Sequence, residues 1–301
     1  MQRPVINVAF GIDQSYIPQL RVVMRSIETR NERNPLRFFV FHDGIDAASR
    51  AQVSTRRATI EWIQICDPVL LGFDAHRPSM SRATYFRLMI PRFMPPDVSR
   101  AIYLDSDLIL QSDIAELWDF DLGAHALGAV VDAGLNPRDF AARYGLPAQG
   151  RYFNAGVLLL DVQKLRADQS FDHTIALLAS NVYDYDDQDA LNISFWNRWT
   201  SIPPDWNFQR NFLYEKFATW TALTRSAPRP KIIHFTDATK PWRRDEWHPL
   251  AWLYLKELRG AEFGLSLLRN AGIGFKTRLK WRLRWLLWNF RCFCRWNLGL
   301  Q

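Results

Sequence analysis

The first hundred residues alternate short apolar runs with longer helical stretches, and few folds accept that order. Residues 5–10 form an apolar run closed by Gly11-Ile12-Asp13. Residues 18–29 read as a helix, and 37–41 as a second strand closed by Asp43-Gly44. A helix over 47–57 and a third strand over 59–65 follow. Residues 82–88 have helical character, and Pro91, Pro95 and Pro96 break the chain before a strand at 100–104. The order predicts an α/β fold, with a Rossmann-like, mostly parallel sheet flanked by helices. Ligands of such sheets bind beyond the carboxyl ends of the strands, so the residues that close each run carry most of the functional information.

Further along, 127–131 is an apolar run ending in Asp132, 153–160 is another, 187–195 looks helical, and 231–235 is a late strand carrying His234. There is no internal repeat and no Gly/Ser-rich linker. The expected division is one catalytic domain over 1–250 and a helical extension over 251–301.

Asp105 and Asp107 close the 100–104 run with one residue between them. Side chains two apart on an extended backbone point the same way, so both carboxylates can face one ion. A hard divalent cation prefers such oxygen ligands, and a diphosphate supplies more of them. A solvated loop or a helix cap formed by Ser106 or Asp107 is the competing reading. His234 lies six residues before Lys240-Pro241-Trp242. A neutral imidazole completing an oxygen-rich site suits Mn²⁺ better than Mg²⁺, although a lone histidine is also an ordinary core residue. Lys240 is either a fixed positive charge for a diphosphate or a surface lysine.

After the first run, Asp13 offers a carboxylate to a base or ribose and Tyr16 a ring to stack on a base; a turn capped by Asp13 or Ser15 is the alternative. Asn154-Ala155-Gly156 interrupts an apolar strand. Its buried amide needs a partner, and a glycine in a strand marks close approach of a ligand or of other backbone. Asp187-Gln188-Asp189 opens a helix, with Asp187 and Gln188 as candidates for holding sugar hydroxyls and Asp189 as a cap or ion-pair partner. Neither the triple-glycine dinucleotide fingerprint nor G-x-x-x-x-G-K-[ST] is present, which disfavours oxidoreductase and nucleotide-hydrolase readings.

The charge is uneven. Of 38 basic residues, seven lie in 276–301 without an acid, and the other 31 are matched by 31 acids. This balance argues against a nucleic-acid partner. At helical spacing Trp281, Trp285, Trp288 and Cys292 form one stripe flanked by Arg284, Arg291 and Arg295, with Leu283, Leu287 and Phe290 on the other side. The longest uncharged stretch, Trp285 to Phe290, is far too short to span a bilayer. Lying in an anionic membrane surface is the expectation, with packing on the body or on a second subunit as the alternative. Cys66, Cys292 and Cys294 make no disulfide framework, so a reducing compartment is expected, and MQRPVINVAF carries no secretory signal pattern.

Six segments, in order, resemble the family-8 retaining glycosyltransferases, above all the bacterial lipopolysaccharide and lipooligosaccharide galactosyl- and glucosyltransferases. They are Val8-Ala-Phe-Gly-Ile-Asp-Gln-Ser-Tyr16, Thr84-Tyr-Phe-Arg-Leu88, Tyr103-Leu-Asp-Ser-Asp-Leu-Ile109, Tyr152-Phe-Asn-Ala-Gly-Val-Leu-Leu-Leu160, Asp187-Gln-Asp-Ala-Leu-Asn192 and His234-Phe-Thr-Asp-Ala-Thr-Lys-Pro-Trp242. The likeness spans about residues 5–245.

The resemblance implies a GT-A glycosyltransferase fold, a UDP-galactose or UDP-glucose donor, and Mn²⁺ (Mg²⁺ as the alternative) held by Asp105, Asp107 and His234. It places Asp13 on the uracil, Tyr16 on the base, Ser15 near the ribose and Lys240 on the diphosphate. Ala155 joins Asp105 on the donor side, and Arg87, Asn154, Asp187 and Gln188 surround the donor sugar. The implied acceptor is a saccharide, lipopolysaccharide core or another lipid-linked glycan, at the inner face of a bacterial cytoplasmic membrane. Gln14 stands where an acid is frequent, and Asp237 where a glycine commonly meets the diphosphate. Gln188 is a poor nucleophile, so same-face attack with retention is expected. A glycogenin-like protein acceptor and a non-catalytic membrane-surface module are the rival readings. Oligomeric state is not legible.

Overall fold

The computed structural model describes residues 3–73, 81–215, 230–236, 238–244, 247–259 and 264–298. Nine strands occur among them: β1 (Ile6–Gly11), β2 (Leu36–His42), β3 (Thr59–Gln64), β4 (Arg100–Leu104), β5 (Leu108–Leu110), β6 (Leu127–Val131), β7 (Phe153–Asp161), β8 (Thr200–Ser201) and β9 (Ile232–His234). Seven form one sheet in the order β3-β2-β1-β4-β7-β6-β8, and β5 pairs with β9 in a second, two-stranded sheet. β3, β2, β1 and β4 run parallel. β7 is antiparallel to both β4 and β6, and β8 runs parallel to β6. The sheet is therefore mixed but mostly parallel, as expected.

Parallel strands are covered on both faces and so read as unbroken apolar runs. Val8 and Phe10 of β1 pack with Leu20 and Val23 of the Ile17–Arg30 helix on one face. Ala9 joins Phe39, Phe86 and Tyr103 on the other. β7 alternates in the same way, with Val157 and Leu159 on the first side and Leu158 and Leu160 on the second.

Two local expectations change. The 47–57 helix ends at Ala51, because the Glu28 carboxylate captures the backbone amides of Arg56, Arg57 and Ala58 and bends the chain towards β3. Residues 82–88 form a tighter 3₁₀ helix, Arg82–Met89, which passes into the short helix Ile90–Phe93 with Pro91 in its first turn. β5 follows the acidic pair directly, so neither Ser106 nor Asp107 caps a helix.

Packing of the body runs past residue 250. Leu250, Leu253, Tyr254 and Leu258 share the core of β1, and Glu257 pairs with Arg30. Helices Ala251–Arg259 and Gly264–Asn270 lead to the long helix Phe275–Leu298. Its tryptophan stripe faces the body and not the outside, which corrects the expected orientation. Trp281 is buried, Trp285 packs on Trp252 and Trp288 on Trp247. The Cys292 side chain lies outside the described residues.

Candidate active site

A pocket of about 260 Å³ opens beyond the carboxyl ends of β1 and β4. Asp13 and Tyr16 reach it from the end of β1, and Asp105 and Asp107 from the end of β4. Asn154 and Ala155 come from β7, Asp187 and Gln188 from the helix Asp186–Ser194, and Arg87 from the 3₁₀ helix. His234 and Lys240 close it from β9 and the turn beyond.

The three predicted metal ligands converge. β5 and β9 pair so that His234 lies opposite Leu108, bringing the imidazole over the preceding Asp-Ser-Asp. One ligand atom from each of Asp105, Asp107 and His234 lies within 4.8 Å of the others. His234 Nε2 is 3.0 Å from Asp107 Oδ1 and 3.7 Å from Asp105 Oδ2. Asp107 Oδ1 is buried with the His234 imidazole as its facing partner, so when that nitrogen is unprotonated the oxygen is left without a donor, which costs free energy unless a cation meets it. Gly156 explains how the groups come so close: a Cβ there would sit 2.2 Å from His234 Cε1 and 2.7 Å from Asp105 Oδ2. Two hard oxygens and one imidazole nitrogen are a donor set that fits a divalent cation.

Lys240 Nζ lies 2.6 Å from Asp107 Oδ2 and donates to the Phe235 carbonyl at 2.7 Å. It is buried, which excludes the surface-lysine reading. Burial works against charge on Asp107, yet Lys240, with His234 when charged, outweighs it and holds the carboxyl below its usual range.

On the sugar side, Arg87 is buried across two carboxylates. Its Nε lies 2.9 Å from Asp187 Oδ2 and its Nη2 3.2 Å from Asp105 Oδ1, while its guanidinium stacks 4.7 Å from the Tyr103 ring. Burial alone would lower the Arg87 pKa; Asp105 and Asp187 reverse that and keep it charged. Asp187 also accepts from Thr84 Oγ1 at 2.6 Å. Burial nonetheless pushes its carboxyl up to about 6, against the pull of Arg87. Asp186, just before, adopts a left-handed φ of 47°, and Tyr85 donates to its carboxylate at 3.0 Å. Strain of this kind gathers at functional sites.

Gln188 is clamped. Its Oε1 accepts from the Ala155 amide at 3.0 Å, and its Nε2 donates to Asp132 Oδ2 at 3.2 Å. Asn154 finds the partners its position demanded, donating to Asp132 Oδ2 at 3.1 Å. Asp189 does not face the pocket as a ligand; it accepts from the Tyr152 hydroxyl at 2.5 Å and from the Tyr185 amide at 3.0 Å.

Ser15 is the one predicted site residue outside the pocket lining. Its amide and hydroxyl both donate to Asp13 Oδ1, at 2.8 and 2.6 Å, so it fixes the Asp13 carboxylate while that group also caps the following turn. Tyr16 meets Trp242 edge-on with ring centroids 6.1 Å apart. Asp237 lies outside the described residues. Sequence reasoning included Thr84 and Tyr103 in the matching segments without giving either a site role, and it did not single out Asn207. Asp132 was visible only as the residue closing an apolar run, and no local pattern announced Asn207.

Residues 7–246 match the family described as Glycosyl transferase family 8. The chain belongs to that family. The family-8 chain is 26% identical over 261 residues to General stress protein A of Bacillus subtilis (strain 168), covering 81% of itself and 90% of that protein. It is 28% identical over 300 residues to Lipopolysaccharide 1,2-glucosyltransferase of Escherichia coli (strain K12), covering 91% and 84%. Among solved structures, the galactosyltransferase LgtC in complex with donor and acceptor sugar analogues superposes with a TM-score of 0.76 at 27% identity, covering 85% of this chain and 96% of LgtC. The fold is GT-A, and the family-8 chain is a glycosyltransferase of the metal-dependent type, with the Asp105–Asp107 pair at its site.

Proposed function

We propose that this enzyme transfers galactose or glucose from a UDP-sugar to a saccharide acceptor, lipopolysaccharide core or another lipid-linked glycan, with retention at the anomeric carbon. The observation that carries the reading is the convergence of Asp105, Asp107 and His234 at one wall of the pocket, with Asp13 and Tyr16 on one side and Arg87, Asn154 and Gln188 on the other. The relatives named as lipopolysaccharide glucosyl- and galactosyltransferases support the donor and acceptor classes.

Asp105, Asp107 and His234 would hold Mn²⁺, or Mg²⁺ as the alternative. Such an ion supplies positive charge against the charge that develops on the departing diphosphate. Asp13 and Tyr16 would bind the uridine, with Ser15 keeping the Asp13 carboxylate aimed. Lys240, anchored at the Phe235 carbonyl, adds a fixed charge beside the diphosphate. Arg87, Asn154 and the Ala155 backbone shape the sugar subsite.

Two features favour same-face attack. Gln188 is a neutral amide whose oxygen and nitrogen are both engaged, so it orients the sugar and does not attack it. Asp187 is buried and committed to Arg87 and Thr84. With Gln188 and Asp187 both engaged, the leaving phosphate takes the acceptor's proton in this reading.

The helix Phe275–Leu298 supplies a membrane contact in this reading. Phe275, Leu279, Leu283, Leu286, Leu287 and Phe290 are all exposed, between 47% and 70%. Their spacing puts them on one stripe, among exposed Lys276, Lys280, Arg282, Arg284 and Arg291. An apolar stripe edged by bases suits the surface of an anionic bilayer, here the inner face of a bacterial cytoplasmic membrane. No described helix is long and apolar enough to cross a membrane.

A donor screen tests the proposal. UDP release from UDP-galactose and UDP-glucose is followed with and without Mn²⁺, with purified lipid-linked core oligosaccharide as acceptor. Mn²⁺-dependent, acceptor-stimulated release from one of these donors is expected. Release from neither donor would refute it.

A further inference from the structure

His234 presents two ring nitrogens to different surroundings, and only one of them can bind a metal ion. Nε2 faces Asp107 Oδ1 at 3.0 Å and Asp105 Oδ2 at 3.7 Å. Nδ1 lies 2.9 Å from Asn207 Oδ1. That Nδ1 carries a proton follows from a chain of groups whose roles are fixed one after another.

The chain starts at two groups with a single possible role. The Gly156 backbone amide can only donate, and it meets Asn154 Oδ1 at 3.1 Å. A carboxylate accepts, and Asp132 Oδ2 lies 3.1 Å from Asn154 Nδ2. Both contacts orient the Asn154 amide the same way, oxygen towards Gly156 and nitrogen towards Asp132. Asn154 Oδ1 then faces Asn207 at 2.9 Å and needs a donor there, so Asn207 turns its Nδ2 to it. The remaining Asn207 oxygen points at His234 Nδ1. It can only accept, so Nδ1 carries a hydrogen, while Nε2, which faces two carboxylates, gives up its own hydrogen only when a cation takes its place.

We infer that Asn207, oriented by Asp132 through Asn154, is a positioning residue that holds His234 as the Nδ1–H tautomer and leaves the Nε2 lone pair free for the cation between Asp105 and Asp107. Asn207 is fully buried and has no place in the pocket lining, so it acts through His234 and not on substrate. Partners of this kind fix ring orientation and raise ligand basicity. The relay also joins the two halves of the site, because Asp132 Oδ2 accepts from Gln188 Nε2 as well, at 3.2 Å.

The inference rests on the metal reading above, and its test separates the two. Proton–nitrogen correlation spectra of the ¹⁵N-histidine-labelled full chain are recorded in alkaline buffer at saturating Mg²⁺, a diamagnetic ion, with His234 assigned by comparison with His234→Gln. The expected spectrum places the His234 hydrogen on Nδ1; a hydrogen on Nε2 would overturn the inference. In Asn207→Leu, which keeps the volume and loses the acceptor, the Nδ1 preference disappears and the Mn²⁺ dissociation constant rises about 10–100-fold. Asn207→Asp keeps an acceptor for Nδ1 but loses the donor to Asn154 Oδ1, so the Nδ1 hydrogen stays and the affinity falls less than in Asn207→Leu. Unchanged Mn²⁺ affinity in a folded Asn207→Leu would contradict the relay. If that variant does not fold, the wild-type spectrum and Asn207→Asp decide. Failure of the wild-type chain to bind a divalent ion would instead count against the metal site, and a metal-free spectrum with no hydrogen on Nδ1 would count against Asn207 as its acceptor.

Discussion

Arg87 Nε lies 2.9 Å from Asp187 Oδ2, and both side chains are buried. The same guanidinium reaches Asp105, so one cation ties the sugar side of the pocket to the metal side. Removing one partner of such a pair leaves the other charge buried and uncompensated, at a cost of about 3–5 kcal/mol.

The pair carries a pH signature. Burial raises the Asp187 carboxyl to about 6 in the folded chain, from a model-peptide value near 3.8. Between these two values the folded state holds a proton that the unfolded state has lost, so stability falls as pH rises from about 4 to about 6 and is level above. The difference in unfolding free energy between wild type and Asp187→Asn should therefore decline across that window by at most about 3 kcal/mol. Denaturant titrations at pH 4, 5, 6 and 7 measure it, and a difference that grows with pH would contradict the assignment.

Gly156→Ala tests the closeness of the three ligands. Backbone on both sides of Gly156 is held in β7, and the added methyl would enter the space of His234 Cε1 and Asp105 Oδ2. The expected outcome is a folded protein with an affinity for Mn²⁺ at least tenfold lower, read by titration. Wild-type affinity would mean that the imidazole yields freely.

Gln188→Ala removes the amide that fixes the sugar subsite and leaves no group in its place. Its kcat should fall, on the order of a hundredfold, while the product keeps the anomeric configuration of the donor, read by proton NMR. A covalent sugar adduct trapped on Gln188 or Asp187 and turned over at a competent rate would overturn same-face attack.

The two faces of the terminal helix should separate in their effects. Replacing Leu283, Leu287 and Phe290 together by Gln should release the protein from anionic vesicles in a flotation assay and leave hydrolysis of soluble donor intact. Trp285→Ala should lower the melting temperature, because that ring packs on Trp252. Vesicle binding unaffected by the triple exchange would refute the membrane face.

Much of this site was legible because each ligand closes an apolar run. Asp13, Asp105 and Asp132 stand at strand ends in a fold whose ligands gather there, and Asn154 announced itself as an amide in an apolar strand. Asp105, Asp107 and His234 were less secure one by one; β5, a three-residue strand that periodicity did not reveal, pairs with β9 and brings them together. Asn207 left no trace and Tyr103 suggested no role of its own, since a buried amide in a short turn and a tyrosine in an apolar strand are ordinary in sequence. The tryptophan stripe was read as a face but assigned to the wrong surroundings, because helical spacing shows that residues share a side and not what lies against it.

The most direct test of the account is the metal dependence of the reaction at its own ligands. Wild-type protein and Asp107→Asn are stripped with EDTA, and UDP release from the preferred donor is measured as Mn²⁺ is restored. The account predicts that wild-type activity vanishes without metal and returns in full, while the variant stays about a hundredfold or more below it at saturating Mn²⁺. Full activity of the stripped wild-type chain, or of Asp107→Asn, would contradict it.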